Sequence, residues 1–257
     1  MLGLRRATQA LHTRWREKTL PRIAGAKYAI PHAKGDLALT FDDGPDPRFT
    51  PELLDILAEM RVVATFFLVG RRAVKEPSIV RRISEEGHAL GSHTWSHPDP
   101  RLASTKVLLH EYEDGRHAIE DILGAEVPLF RPPMGYVGLK SVIAMRLAGV
   151  RPWLWNCDPE DWRPGVCRES IVRAVEAASP GAVVLLHDGI ELPLADEALD
   201  RGETIAAVRQ VIKVAGFQGL RFTILPAGDV CEDNRKFQQR IRSSPRAAAA
   251  HEDRMDD

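Results

Sequence analysis

Cysteine is scarce, with three residues in a chain of 257. Cys157, Cys167 and Cys231 form no CxxC pair and leave one thiol over, which excludes a zinc ribbon or a complete disulfide framework; they read as small buried fillers. Long apolar runs are also missing. None approaches the roughly 20 residues of a membrane-spanning helix, and the first residues lack the apolar core of about 7–15 residues that marks a secretory signal. The expectation is a cytoplasmic protein, with cell-envelope association as the alternative. Neither sign of charge dominates: 35 basic against 36 acidic residues leave a net charge of -1, so nothing electrostatic points to a nucleic-acid partner. Internal repeats and linkers are absent, and the length suits a single core. Oligomeric state is left open.

Between Gly35 and Leu225 short apolar runs alternate with helix-length periodic segments, the pattern of repeated βα units on a parallel sheet. Seven runs are expected as strands: Leu37 to Phe41, Thr65 to Val69, Ala89 to Gly91, Leu129 to Arg131, Pro152 to Trp155, Ala182 to Leu186 and Arg221 to Leu225. Helices are expected over Pro51 to Met60, Ile79 to Glu86, Ser104 to Leu123, Leu139 to Ala148, Arg168 to Ala178 and Glu203 to Val214. Thr50 before Pro51 reads as an N-cap, and Gly87, Gly124 and Gly149 as helix stops. Residues 1–35 form a basic extension expected to be helical. Its first 22 residues carry six basic groups against one acid, Glu17, and a docked helix or a targeting segment fits that balance. Residues 36–229 are the expected folded domain, and residues 230–257 a polar, disordered tail.

The reactive residues fall at the C-terminal ends of the expected strands, the face where active sites of parallel barrels collect. Asp42 and Asp43 follow the first run and end it in a Gly/Pro turn. Adjacent side chains diverge there, so one acid can bind a cation while the other moves a proton; Asp-Gly is equally a turn dipeptide. His93 and His97 follow the third run, four apart, a spacing that in a helical turn puts both imidazoles within reach of one cation or on a solvated face. His88, nearby, reads as a hydrogen-bonded packing residue. Arg131 ends the fourth run ahead of Pro132 and Pro133, either as a rigid turn or as a planar fork orienting an aspartate. Asp158 and Asp161 follow the fifth run, and His187 with Asp188 the sixth, where His187 can serve as an acid. Trp95 and Trp162 sit in loops, where their rings could stack on a sugar.

In this order Thr40-Phe41-Asp42-Asp43-Gly44, His93-Thr94-Trp95-Ser96-His97, Arg131-Pro132-Pro133, Asp158-Pro159-Glu160-Asp161-Trp162 and Leu186-His187-Asp188 resemble the five motifs of the polysaccharide deacetylases of the NodB-homology type, carbohydrate esterase family 4. The similarity spans about Asp36 to Leu225. It implies a single-domain α/β fold, a distorted (β/α)7-type barrel, and a divalent metal held by Asp43, His93 and His97, zinc first, with cobalt or another first-row ion possible. It also implies Asp42 as general base, Arg131 orienting it, His187 as general acid, Asp161 holding His187, and the backbone N–H of Met134 as oxyanion donor. Leu186 and Trp162 would line the pocket for the acetyl methyl, with Trp95 in the groove wall. Met134 departs from the aromatic residue many relatives carry there, which affects the groove wall while leaving the N–H in place. The loop from Ile190 to Gly202 is expected to shape substrate access.

The activity implied is hydrolysis of N-acetyl groups from an oligo- or polysaccharide of the chitooligosaccharide or peptidoglycan type, water activated by the cation attacking the acetamide carbonyl. O-acetyl xylan or a cyclic amide could be attacked by the same centre. A non-catalytic carbohydrate-binding barrel is the alternative of a different class, and sugar binding without turnover would mark it.

Overall fold

The computed structural model describes residues 19–227. The basic stretch before Thr19, the tail expected over 230–257 and Cys231 lie outside them. Six parallel strands, β1 (Asp36–Asp42), β2 (Thr65–Leu68), β3 (Ala89–Ser92), β4 (Leu129–Phe130), β5 (Val183–His187) and β6 (Arg221–Phe222), form a sheet in the order β4-β3-β2-β1-β5, with β6 beside the start of β1. Strand alternation gives this sheet two different faces. Leu37, Leu39 and Phe41 of β1, Phe66 and Leu68 of β2, and Val184 and Leu186 of β5 belong to the main core with the helices. The opposite positions, Ala38, Phe67, Val183 and Leu129, pack with Trp153 and Leu225 in a second cluster. Strands buried on both faces read as continuous apolar runs, which is why they were visible in the sequence.

The expected fifth strand, Pro152 to Trp155, is replaced by isolated bridges that join Phe130 to Pro152, Lys27 to Trp153 and Cys157 to Val184. Its carbonyls are diverted to a side chain: Arg131 Nε donates to Trp153 O at 3.0 Å and Nη2 to Leu154 O at 3.3 Å. The segment still links β4 to β5, so a distorted (β/α) barrel results, with six strands and a bridged gap. Of the expected helical extension, residues 19–23 are helical, while Lys27 and Ala29 make bridges to Trp153 and Ala182.

Around the sheet lie α1 (Thr50–Met60), α2 (Gly70–Lys75), α3 (Pro77–Glu85), α4 (Thr105–Leu123), α5 (Leu139–Ala148), α6 (Arg168–Glu176) and α7 (Gly202–Phe217). All but the short α2 bury an apolar stripe. Leu53, Leu54 and Leu57 of α1 are completely covered, each such side chain stabilising the fold by about 1.5–3 kcal/mol. Ser104 caps α4 by accepting from Val107 N at 3.2 Å, and Gly124 and Gly149 end α4 and α5 at φ 65° and 71°. Thr50 is not a cap: Phe49 occupies that position, and the Thr50 hydroxyl is turned inward to donate to Asp188. The short helix α2 escaped the periodicity because it spans only six residues. Gly70 opens it, where a Cβ would stand 2.9 Å from Gly115 Cα and from Trp95 Cε3, so only glycine lets α2 approach α4 this closely. The cysteines are not uniformly buried: Cys157 is partly covered and Cys167 is exposed.

Candidate active site

Register brings the reactive groups together. Asp42 is level with His187 on the neighbouring strand and with Phe67 on the other side, while Thr40 is level with Leu185. Asp42 is buried at the end of β1, and Asp43 beyond it turns the chain with φ 69°. The Asp42 carboxylate meets Arg131, whose side chain has no solvent exposure: Nη1 donates to Asp42 Oδ1 at 2.7 Å and to Thr40 Oγ1 at 2.8 Å. Phe67 lies 4.1 Å and Trp155 5.6 Å from the guanidinium carbon, measured to ring centroids. A guanidinium this deep is tolerable because four of its five N–H donors meet acceptors: two carbonyls, a hydroxyl and a carboxylate. Burial raises the Asp42 pKa above the usual carboxylate range, against the lowering influence of Arg131 and His187.

Asp43, His93 and His97 form the second group. Their candidate ligand atoms all lie within 4.8 Å of one another, and Asp43 Oδ1 is 3.4 Å from Nε2 of each histidine. The segment carrying the histidines is not helical. Thr94 and His97 adopt left-handed φ values of 73° and 55°, and these two reversals converge the imidazoles, whose ring centroids are 5.0 Å apart. His97 N donates to Thr94 Oγ1 at 3.0 Å, and the Glu111 carboxylate accepts from Ser96 N and Oγ, both at 2.7 Å, pinning the turn to α4. His93 Nδ1 faces Arg131 O at 2.8 Å; a carbonyl only accepts, so Nδ1 carries the proton and Nε2 keeps its lone pair toward Asp43. Burial and the neighbouring His97 push the His93 pKa down to about 3, favouring the neutral, ligating form. Asp43 Oδ1 is buried without a hydrogen-bond partner, a costly state that a cation would relieve. One carboxylate and two imidazoles are the donor set of an open, three-ligand zinc site, so these residues fit a divalent ion.

Across the site, His187 Nδ1 donates to Asp161 Oδ1 at 2.8 Å and His187 N to Asp161 Oδ2 at 2.9 Å. Burial alone would lower this imidazole; the Asp161 charge and hydrogen bond outweigh it and leave the pKa at about 9. Asp161 is itself held by Thr204 Oγ1 at 3.0 Å and, through its carbonyl, by Arg201 Nη1 at 2.8 Å. Neither partner was visible in the sequence, since both lie on the far side of the loop after β5. Glu191, early in that loop, donates its N–H to Asp43 Oδ2 at 3.0 Å and has no local signal either, while Thr40, inside the first motif, takes its role only from the contact Arg131 makes across the sheet.

The remaining expected residues divide. Met134 sits in a short 3-10 turn (Pro133–Gly135) with φ 56° and a half-exposed side chain. Trp95 is partly exposed and packs beside Gly70, and Trp162 is half-buried with the Arg163 guanidinium 5.1 Å from its ring. Leu186 is a correction: alternation turns it into the main core, with no exposure, while Leu185 shares the inner face with His187. His88 packs edge-on to Phe66 and accepts from Ala64 N at 3.1 Å, as expected of a packing histidine.

Comparison with known proteins gives the family of the chain. A family model described as polysaccharide deacetylase matches residues 29–153. A peptidoglycan-N-acetylglucosamine deacetylase of Bacillus cereus is 38% identical over 80% of this chain and 93% of its own length. A chitooligosaccharide deacetylase of Azorhizobium caulinodans is 33% identical over 79% and 99%. Among solved structures, a peptidoglycan N-acetylglucosamine deacetylase superposes with a TM-score of 0.70 at 32% identity, covering 79% of this chain and 91% of that one. A family 4 carbohydrate esterase from Streptomyces lividans, in complex with acetate, gives 0.67 at 28% identity, covering 77% and 96%. With these similarities running through nearly the whole of its relatives, the chain belongs to the polysaccharide deacetylase family, carbohydrate esterase family 4.

Proposed function

We propose that this chain removes N-acetyl groups from amino sugars of an oligo- or polysaccharide of the chitooligosaccharide or peptidoglycan type. The observation that carries the reading is the buried Asp43, His93 and His97 group flanked by two differently tuned proton handlers, Asp42 on Arg131 and His187 on Asp161. Asp43, His93 and His97 would hold a divalent cation, zinc fitting best and cobalt or another first-row ion able to substitute. Such an ion, when bound, supplies Lewis acidity that lowers the pKa of water and polarises a carbonyl.

The chain's own groups do the rest. Asp42 takes the proton from the attacking water through Oδ2, its Oδ1 being occupied by Arg131. As the carbonyl oxygen gains charge, the Met134 N–H is the donor offered to it, the first N–H after two prolines that have none. His187, protonated at neutral pH, gives its proton to the departing amine, and Asp161 keeps the ring oriented. Leu185 takes the place of Leu186 beside the acetyl methyl, with Trp162 near it and Trp95 as a sugar-stacking wall. A cavity of about 770 Å³ lined by residues including Tyr28, Arg101, Met134, Tyr136, Leu139 and Trp155 continues from the Met134 turn, room that suits a chain of sugars better than a lone one.

The test is acetate release from chitooligosaccharides, peptidoglycan fragments and acetylated xylan, before and after chelation and metal return. Release from the amino-sugar substrates that disappears on chelation and returns with metal is expected. Release only from xylan would reassign the substrate, and release insensitive to chelation would overturn the reading.

A further inference from the structure

The loop after β5 holds a buried acid that none of the five motifs includes. Glu191 has only 3% of its side chain exposed, and both carboxylate oxygens are taken by arginines of α2: Arg71 Nη2 and Arg72 Nε each donate to one. Arg72 also donates through Nη2 to Ile190 O at 2.8 Å, and its Nη1 lies 3.6 Å from Asp46 Oδ2. The turn is thereby tied to α2 by side chain and backbone together.

What the tie delivers is one N–H. Glu191 N donates to Asp43 Oδ2 at 3.0 Å, and the other oxygen, Oδ1, is the unpartnered one 3.4 Å from both imidazoles. The two oxygens of Asp43 are thus given separate tasks, one fixed by protein and one turned toward the histidines. Close approach depends on Gly189, where a Cβ would stand 2.8 Å from Asp43 O and 2.9 Å from Arg72 Nη1. The geometry points to Glu191, clamped by Arg71 and Arg72, as a positioning residue that holds the Asp43 carboxylate with Oδ1 turned toward the two imidazoles, ready for the cation these three residues would hold. This rests on the cation reading above. It gives α2 and the start of the 190–202 loop a role in metal affinity, because outer partners of a ligand fix its orientation before the ion arrives.

The experiment measures zinc affinity of the full chain by competition with a chromophoric chelator, for wild type, Glu191→Ala, Glu191→Gln and Arg71→Ala, each with and without Asp43→Ala. Melting temperatures of the metal-free proteins are recorded alongside. Weakening of about 10- to 100-fold is expected for Glu191→Ala, with smaller losses for Glu191→Gln and Arg71→Ala. In the Asp43→Ala background the Glu191 substitution should make no further difference. Wild-type affinity retained in all three single variants overturns the clamp, as does an equal loss with Asp43 absent, which would mark a general effect on the fold. Should Glu191→Ala not fold, the milder pair decides. A wild-type chain that binds no zinc or cobalt would instead overturn the cation reading itself.

Discussion

Arg131 Nη1 donates to Asp42 Oδ1 across 2.7 Å, and the guanidinium making this bond has no contact with solvent. The pair couples fold to chemistry. The same side chain holds the irregular segment that bridges β4 to β5 and the carboxylate proposed as base, so the closure of the barrel and the orientation of the base depend on one residue.

Removing one partner of a buried ion pair leaves the other charged and dry. Arg131→Ala should therefore lower unfolding free energy by about 3–5 kcal/mol in urea titration. Arg131→Lys, which keeps charge but loses the planar fork, should fold better than Arg131→Ala yet still lose at least about 100-fold in turnover. A lysine variant with wild-type turnover would show that charge alone suffices.

Asp42→Asn and His187→Ala should each reduce turnover by roughly 100- to 10,000-fold while leaving metal content largely intact, because neither is one of the three clustered ligands. Elemental analysis of the same preparations used for kinetics decides this. Equal loss of metal from either would make that residue a ligand.

The His187 pKa of about 9 fixes a pH dependence. An acid must be protonated to act, so turnover should fall as pH rises through about 9, and in Asp161→Asn this limb should move toward about 6.5, the value of an unperturbed imidazole. The stability sign follows from the raised folded-state pKa: the His187–Asp161 contribution is complete below about 6.5 and lost as pH climbs through about 9. The melting-temperature gap between wild type and Asp161→Asn should accordingly be widest in mildly acidic buffer and close in alkaline buffer. A gap that widens with pH would contradict the assignment.

Adjacent leucines should behave differently. Leu186→Ala removes a core side chain and should cost about 2–5 kcal/mol of stability with little change in substrate preference. Leu185→Ala, on the face of His187, should enlarge the acyl pocket and raise the ratio of N-propionyl to N-acetyl hydrolysis. Identical acyl preference in both variants would remove Leu185 from the pocket.

Much of this architecture was legible in the residues. Doubly buried strands such as β1 and β5 announce themselves as continuous apolar runs, and Leu139–Ala148 ends where its following glycine says it should. The pairing of Asp42, Asp43, His93, His97, Arg131, Asp161 and His187 came from strand-end position and from resemblance to family motifs. What escaped were features made by tertiary contact. Arg131 consumes the carbonyls that a ladder would have used at Trp153 and Leu154, so an apolar run there is not a strand. His93 and His97 converge through two left-handed residues, which a spacing of four does not encode. The family resemblance points to Leu186, whereas strand alternation puts Leu185, two residues before His187, on the face of that histidine. Glu191, Arg201 and Thr204 have no local signal, being defined only by what folds against them.

The most direct measurement is metal stoichiometry together with acetate release from N-acetylglucosamine oligomers, for wild type and for Asp43→Ala, His93→Ala and His97→Ala after chelation and reloading. One tightly held ion per wild-type chain, sharply weakened binding in all three variants, and turnover that rises in proportion to occupancy are predicted. Full turnover by the metal-free chain, or tight binding that survives loss of these side chains, would contradict the account.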